Sequence, residues 1–450
     1  MTIQPISAYQ SAKSRNQIEA SATVEIYRPF FLAGILTVLT AGCTLGAIAL
    51  VGLSLQGSYV ASAWTPYVLA HANSQLYGWV GFFIMGFALQ THPPRASKAN
   101  LFHVLAVLSL TFMALGIGLR FVADPMAAAR QGAWVQLGIG SALLQLSAVI
   151  LFLVNLTLTR VRTGEPLGWQ TKFVFASLFW MFLVAVAEPF AFALSHQAPQ
   201  QSIMFVAEYY SPLREAQFLG FVANMIFGIS LVKLGSCFGF QPAHRGLGNA
   251  AFFAWNSGIL LRMYGWIAYF RSGMTESANH PYLFSGTILA CAATFFVLSS
   301  RVYEKSEGWV PSQKFIRASL GWLLAGGALM ILEPVHLRQI GMPFSHAYIG
   351  GIRHALTVGF ISQMIIGVGT HVASRMNDIP DKVQSNLWAT FWLLNIGNAG
   401  RVCLELATDY TPKAFTFMGA TGFIELTGLV IWAYVMVRTM VNAKSPVSAT

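Results

Sequence analysis

Twelve runs of about twenty apolar residues follow one another along the chain, at 30–52, 70–90, 101–122, 132–155, 173–195, 213–235, 247–270, 282–300, 316–335, 352–373, 386–407 and 415–437. A helix of roughly that length crosses the hydrocarbon core of a bilayer. The expectation is therefore an all-α integral membrane protein with twelve transmembrane helices. Composition agrees, since only 10% of residues are charged, against about 25% in a soluble domain. The first 27 residues are polar, and the run from Phe30 to Leu53 is too long for the core of a signal peptide, so no cleavable leader is expected. Four cysteines, Cys43, Cys237, Cys291 and Cys403, lie far apart and form no CxxC, which implies no disulfide framework.

Within the runs one stretch recurs, and internal repeats decide a fold before anything else does. The second, sixth and tenth runs each carry a glycine followed eight residues later by another: Gly78 and Gly86, Gly220 and Gly228, Gly359 and Gly367. An arginine stands 42 residues after the first glycine in all three cases, at Arg120, Arg262 and Arg401. A weaker echo joins Ala176–Ser177–Leu178 and Glu188–Pro189 to Ala318–Ser319–Leu320 and Glu333–Pro334. The chain reads as one membrane domain, 1–450, built from three four-helix units at about 28–155, 170–303 and 315–439. Eight-residue spacing of small residues on a membrane helix marks close packing against neighbours.

Lysine and arginine counts set the orientation. One set of loops and helix ends holds 18 of the 27 basic residues and the other holds 9. The richer side is expected to be cytoplasmic, with both termini on it, in a bacterial inner membrane. The excess of basic residues follows this rule and gives no support for nucleic acid as a partner. His71, Arg120, Arg214, Arg262, Arg353, His354 and Arg401 then all fall at the outer ends of their helices.

Ionisable groups at membrane depth are costly, and each is a functional candidate. His71 and His354 open the second and tenth runs at the same level. Neutral imidazole is a common metal ligand, and two facing histidines can hold a haem iron from both sides. Their positions relative to the repeat differ by two residues, since His354 corresponds to Asn73 and Glu215. In a helix that offset is about 3 Å in height and about 200° in facing. His346, eight residues before His354, is the substitute ligand. Arg120, Arg262, Arg353 and Arg401 suit the carboxylates of haem propionates. The alternative is pairing with the structural acids Glu188, Glu333, Glu405 and Asp409. His92, His103 and His371 lie at the opposite face, where a second metal position could form. Glu425 lies mid-span in the last run, as a proton-path group or as a protonated acid bonded to a neighbouring helix.

With these residues in hand, the chain resembles the NnrS family of bacterial membrane proteins. The matching pieces are Tyr27–Arg28–Pro29–Phe30–Phe31–Leu32–Ala33–Gly34, His71 opening the second helix, and His354–Ala355–Leu356–Thr357–Val358–Gly359 opening the tenth. The resemblance covers almost the whole chain. It implies haem and copper and a role in the response to nitric oxide. Where family members carry His-x-His on the second helix, this chain reads His71–Ala72–Asn73, which weighs against copper. A more distant likeness is to the catalytic subunit of haem–copper oxidases and nitric oxide reductases, with twelve helices in three arcs and haem ligands on helices two and ten. That subunit's copper ligands sit at helices six and seven. Here the sixth helix opens Pro212–Leu213–Arg214–Glu215 and 247–270 holds no histidine, so the binuclear centre is not expected.

The resulting expectation is a haem b protein of the nitric oxide or nitrosative-stress response, with the haem between helices two and ten near the outer face. His71 and His354 would be its axial ligands, and the four arginines propionate or electrostatic partners. Two other classes stay open: an oxidoreductase drawing electrons from quinol, and a transporter. Paired inverted repeats with broken helices mark many transporters, which three parallel four-helix units fit poorly.

Overall fold

A computed structural model describes residues 25–59, 62–92, 99–163, 167–197, 199–380 and 384–441. Among these residues the chain is helical, with no strand. The helices are α1 (Tyr27–Gln56), α2 (Thr65–Asn73 continuing through Ser74–Val80 into Gly81–Thr91), α3 (Ala99–Arg130), α4 (Ala133–Thr163), α5 (Thr171–Leu194) and α6 (Pro199–Phe205 continuing to Asn224–Phe238). They are followed by α7 (Arg245–Arg271), α8 (Glu276–Ser300), α9 (Gln313–Ile340), α10 (His346–Met376), α11 (Trp388–Ala407) and α12 (Lys413–Val441). Among the described residues nine are long and apolar enough to cross a membrane: α1, α3, α4, α5, α6, α8, α9, α10 and α12.

The helices form an inner and an outer set. The spanning windows of α6 and α10 are 78% and 72% buried, against 28% for α3. α2 contacts α6, and α6 contacts α10, while Trp79 Nε1 of α2 donates to Ser362 Oγ of α10 at 3.2 Å. These three helices therefore meet at the centre. Around them α3 packs on α4, α7 on α8 and α11 on α12, and α4–α5, α8–α9 and α12–α1 contacts extend the pairs into three outer arcs. The arcs turn apolar side chains outward, among them Leu101, Val104, Leu115, Phe179, Phe253 and Tyr434. An outward apolar surface on a protein of this hydropathy is a lipid-facing surface.

The glycine pairs let the inner helices close on the outer ones. A Cβ on Gly86 would lie 2.7 Å from Phe30 Cβ, one on Gly228 3.1 Å from Phe173 Cβ, and one on Gly367 3.1 Å from Phe315 Cβ. Seven residues beyond those phenylalanines stand Thr37, Trp180 and Trp322, and they fill the space over Gly78, Gly220 and Gly359. Each first glycine is also the fifth residue of a π-helical stretch: Ser74–Val80, Ala216–Ala223 and Ala355–Ser362. A π-bulge inserts a residue into a helix and is often found at functional sites.

Trp322 cannot yield to a side chain at Gly359, because its Nε1 donates to Asn395 Oδ1 at 2.8 Å and the glycine's Cβ would lie 2.4 Å from its Cγ. Gly359→Ala should therefore cost about 1–3 kcal/mol as overpacking. Gly118→Ala, where nothing lies within 4 Å, should be neutral. Thermal unfolding in detergent compares the two, and equal midpoints would refute the packing argument.

Candidate functional site

Most of the buried ionisable residues gather in three clusters, each around one of the repeated arginines. In the first, Arg120 Nε on α3 donates to Asp124 Oδ1 at 3.0 Å, one turn on. Its Nη2 reaches Glu188 Oε2 of α5 at 3.3 Å. Glu188 Oε1 also accepts from Arg214 Nη1 of α6 at 2.7 Å and from Gln217 Nε2 at 2.9 Å. Arg120 and Glu188 are each 1% exposed, so both charges depend on this pairing.

The second cluster joins α6, α7, α8 and α9. Arg262 Nε lies 3.1 Å from Glu215 Oε2, and its Nη2 is 3.9 Å from Glu333 Oε2 and 2.5 Å from Tyr282 Oη. The guanidinium also sits 4.1 Å from the centre of the Tyr282 ring, a cation–π contact that a desolvated arginine makes well.

The third cluster holds both candidate histidines. Arg401 Nη2 on α11 donates to Glu405 Oε1 at 3.2 Å. Glu405 Oε2 lies 3.2 Å from His354 Nδ1 of α10, and the same nitrogen is 3.0 Å from the Gly350 carbonyl. Gly350 must lack a side chain here, since its Cβ would lie 2.1 Å from Glu405 Oε1. His71 on α2 is held from α1: its Nδ1 is 2.8 Å from the Gly42 carbonyl. Gly42 ends a π-helical stretch, Val38–Gly42, with a non-helical ψ of −106°. The backbone leaves the helical ladder there, and its carbonyl serves the imidazole instead. Gly46 makes room for the ring, with a Cβ position 2.5 Å from His71 Cε1. His354 and Arg401 are electrostatic neighbours of His71. Glu425 of α12 counts His354, Arg401 and Glu405 among its own.

His354 and Arg401 thus share Glu405, and both lie within electrostatic reach of His71. Arg120 and Arg262 lie in the other two clusters against buried acids, which is the structural pairing left open by the sequence. Asp409 pairs with none of them and instead meets His336 Nε2 at 2.7 Å and accepts from Ser345 Oγ at 2.5 Å. Arg353, next to His354 in sequence, goes to α6, where its Nη2 donates to Ser211 Oγ. His346 is exposed at the start of α10, its ring 4.8 Å from that of Phe344.

Among the described residues His92, His103 and His371 are not gathered into a second metal position. Among the described residues no three His, Cys, Asp or Glu side chains are gathered for a metal ion. His92 and His103 are exposed, and His371 is buried with its ring 4.4 Å from Phe238. Asn73, where a His-x-His pair would place its second imidazole, is wholly buried and exchanges two hydrogen bonds with Gln145 of α4, at 3.1 and 3.2 Å.

Sequence reasoning missed Asn398. It is wholly buried on the α11 face that carries Arg401 and Glu405, and neither its Oδ1 nor its Nδ2 has a hydrogen-bond partner among the described residues. Its spacing of three and seven residues from that charged pair was the available signal. The Gly42 carbonyl was missed as well, and no sequence signal marks it.

The two imidazoles share a hydrogen-bonding pattern. Each has Nδ1 engaged by an oxygen, and among the described residues no hydrogen bond engages Nε2. Ligating histidines have this arrangement: the far nitrogen fixes ring orientation and tautomer, and Nε2 is left as the donor atom. No protein-family model matches this chain, and no curated protein matches it significantly.

Proposed function

We propose that this chain is a haem-binding integral membrane protein of the NnrS kind, acting in the nitric oxide or nitrosative-stress response. Haem b would be held between α2 and α10 near the outer face, with His71 and His354 as axial ligands. The observation that carries the reading is the matched hydrogen bonding of the two rings, each held at Nδ1 by an oxygen with no hydrogen bond at Nε2 among the described residues. The residues fit the group in that respect, and Gly46 and Gly350 leave room for the ring of His71 and for the carboxylate that holds His354. Bound haem would supply a redox-active iron able to take a diatomic ligand. Glu405 and Gly42 would fix the ring orientations. Arg401, with Nε and Nη1 lacking partners among the described residues, would meet a propionate, and Arg120, Arg262 and Arg353 would act as electrostatic partners. Copper is not proposed.

The architecture under this reading is twelve spans in three four-helix units, in a bacterial inner membrane with both termini cytoplasmic. The shared offset of the π-helical stretches and the Phe–Gly contacts support the repeat. α2, α7 and α11 carry His71, Arg262, Arg401 and Glu405, polar groups that lower their hydropathy without preventing a span when they are paired inside the bundle.

The test is the absorption spectrum of the purified protein, oxidised and reduced, for the wild type, His71→Ala and His354→Ala. A Soret band is expected in the wild type, and loss or displacement of the reduced bands in each variant. No Soret band, or wild-type haem content with unchanged bands in both variants, would sink the reading.

A further inference from the structure

We propose that His336, Asp409 and Tyr410 form a proton-responsive clasp on the start of α10, with two fully hydrogen-bonded states that differ by one proton. The clasp joins three parts of the chain: the last turns of α9, the cap of α10, and the connection from α11 to α12. In that connection Asp409 Oδ2 is met by His336 Nε2 of α9 at 2.7 Å and accepts from Ser345 Oγ at 2.5 Å. Ser345 caps α10, and its Oγ accepts in turn from Tyr348 N at 2.9 Å. The His336 ring lies 4.4 Å from that of Tyr348, whose hydroxyl donates to the Leu329 carbonyl at 2.8 Å. One carboxylate oxygen therefore serves both the histidine and the N-terminus of α10, where negative charge is favoured.

Counting protons gives the two states. An ionised carboxylate only accepts, so His336 carries a proton on Nε2. Its Nδ1 lies 3.2 Å from Tyr410 Oη, which is also 3.1 Å from Gln339 Oε1. A tyrosine hydroxyl has one proton to give. Given to Gln339 Oε1, it leaves Tyr410 Oη to accept from Nδ1–H, and the ring is an imidazolium. Given to Nδ1, it leaves a neutral imidazole, and the Gln339 amide, turned end for end, donates to Tyr410 Oη. The two ends of an amide are alike in shape and differ in hydrogen. No hydrogen bond is lost between the states, while the His336–Asp409 pair passes from neutral to one negative charge. Histidine is the side chain whose charge ordinarily changes between about pH 5 and 8. His336 is buried, but Gln339 and Tyr410 are exposed and the Asp409 side chain is 19% exposed, so protons reach the clasp from solvent.

The other ionisable groups nearby are engaged elsewhere or face solvent. Glu333, one turn before His336, faces Arg262, and so does Tyr282 of α8, the helix packed on α9. Glu405, one turn before Asp409, is held by Arg401. His280 of α8, Arg338 of α9 and Lys413 of α12 are exposed, as is His346, which has Asp409 as an electrostatic neighbour. Among the described residues Asp409 is the one carboxylate within 4 Å of His336. The clasp rests on no haem, and the His71–His354 reading stands or falls without it.

The experiment is NMR of the full chain in detergent with isotope-labelled histidine rings, titrated from about pH 5 to 8. The His336 resonance is assigned by its loss in His336→Gln, which keeps an N–H for Asp409. In the wild type it should pass between an imidazolium and a neutral ring protonated at Nε2. At one pH within that range, Asp409→Asn should lower the ratio of protonated to neutral ring about tenfold. Tyr410→Phe removes the acceptor at Nδ1 and should lower it about threefold or more. A thermal midpoint gives the second readout. The imidazolium–carboxylate pair exists only while the ring is charged, so the stability it adds is present at the acidic end and lost as pH rises. The deficit of His336→Gln against the wild type should therefore be larger at about pH 5.5 than at about pH 8. If Asp409→Asn does not fold, Tyr410→Phe, at an exposed position, decides. A His336 resonance that does not titrate, or that titrates identically in the wild type and the folded variants, overturns the proposal. So does a His336→Gln deficit that is the same at both pH values.

Discussion

Glu188→Ala is expected to destabilise the purified protein by about 3–5 kcal/mol, because it leaves two buried guanidinium groups short of an acid. Glu188 is 1% exposed and bridges Arg214 at 2.7 Å and Arg120 at 3.3 Å. Arg120 keeps Asp124 after the change, whereas Arg214 keeps only the Gln217 oxygen, at 2.6 Å. A domain's whole stability is about 5–15 kcal/mol, so this variant should lose much of it and yield little folded protein. Glu188→Gln keeps the shape and some hydrogen bonds and should fall between. The control is Glu304→Ala, whose ion pair with Arg301 lies at the surface, with side chains 50% and 36% exposed. That change should leave the midpoint where it was. Thermal unfolding of the three variants in one detergent checks the order, and a Glu188→Ala midpoint equal to the wild type would refute the account of this cluster.

Glu405→Ala should act twice, on stability and on the histidine it holds. Arg401 is 6% exposed and has no other carboxylate within 4 Å among the described residues. Stranding it should cost about 3–5 kcal/mol, as for Glu188. The second effect follows from the 3.2 Å contact to His354 Nδ1. Losing such an outer partner typically lowers metal affinity by about 10–100-fold, so under the proposed haem reading the haem content of the folded fraction should fall accordingly. Glu405→Gln can still accept from His354 and should recover more of the haem than of the stability. The measurement is haem bound per folded chain after size-exclusion chromatography, set beside the unfolding midpoint. If haem per folded chain is unchanged in Glu405→Ala, Glu405 does not position His354. A haem deficit that the glutamine variant fails to relieve would make its role one of charge alone.

These two expectations differ in how far the sequence reached. The Arg120–Asp124 and Arg401–Glu405 pairs are spaced i, i+4, so helix geometry alone puts them on one face, and a reader of the sequence can find them. The Arg120–Glu188 and Arg262–Glu215 contacts span 68 and 47 residues. Several acids were available to each arginine, and only the tertiary arrangement, which brings side chains of α3 and α5 within reach and packs α6 against α7, chose among them.

The helical class and nine apolar spans among the described residues were legible because length and hydropathy are local properties, and the paired glycines announced close approach because only small residues allow it. Which side chain fills each approach was not legible: Thr37 over Gly78, but Trp180 and Trp322 over Gly220 and Gly359. His71 and His354 were named from type and level, and a regular helix would have turned them about 200° apart. Their shared neighbourhood depends on α1, which offers the Gly42 carbonyl to one ring, and on α11, which offers Glu405 to the other. Gly42 can do so only because a π-helical stretch ends there. Such a stretch is set by packing across helices and not by the propensity of the five residues that form it. The sequence by itself determined the membrane class, the helices and the polar residues they carry inward. Tertiary structure decided which of those residues meet, because a buried charge takes whichever partner the packing brings within reach.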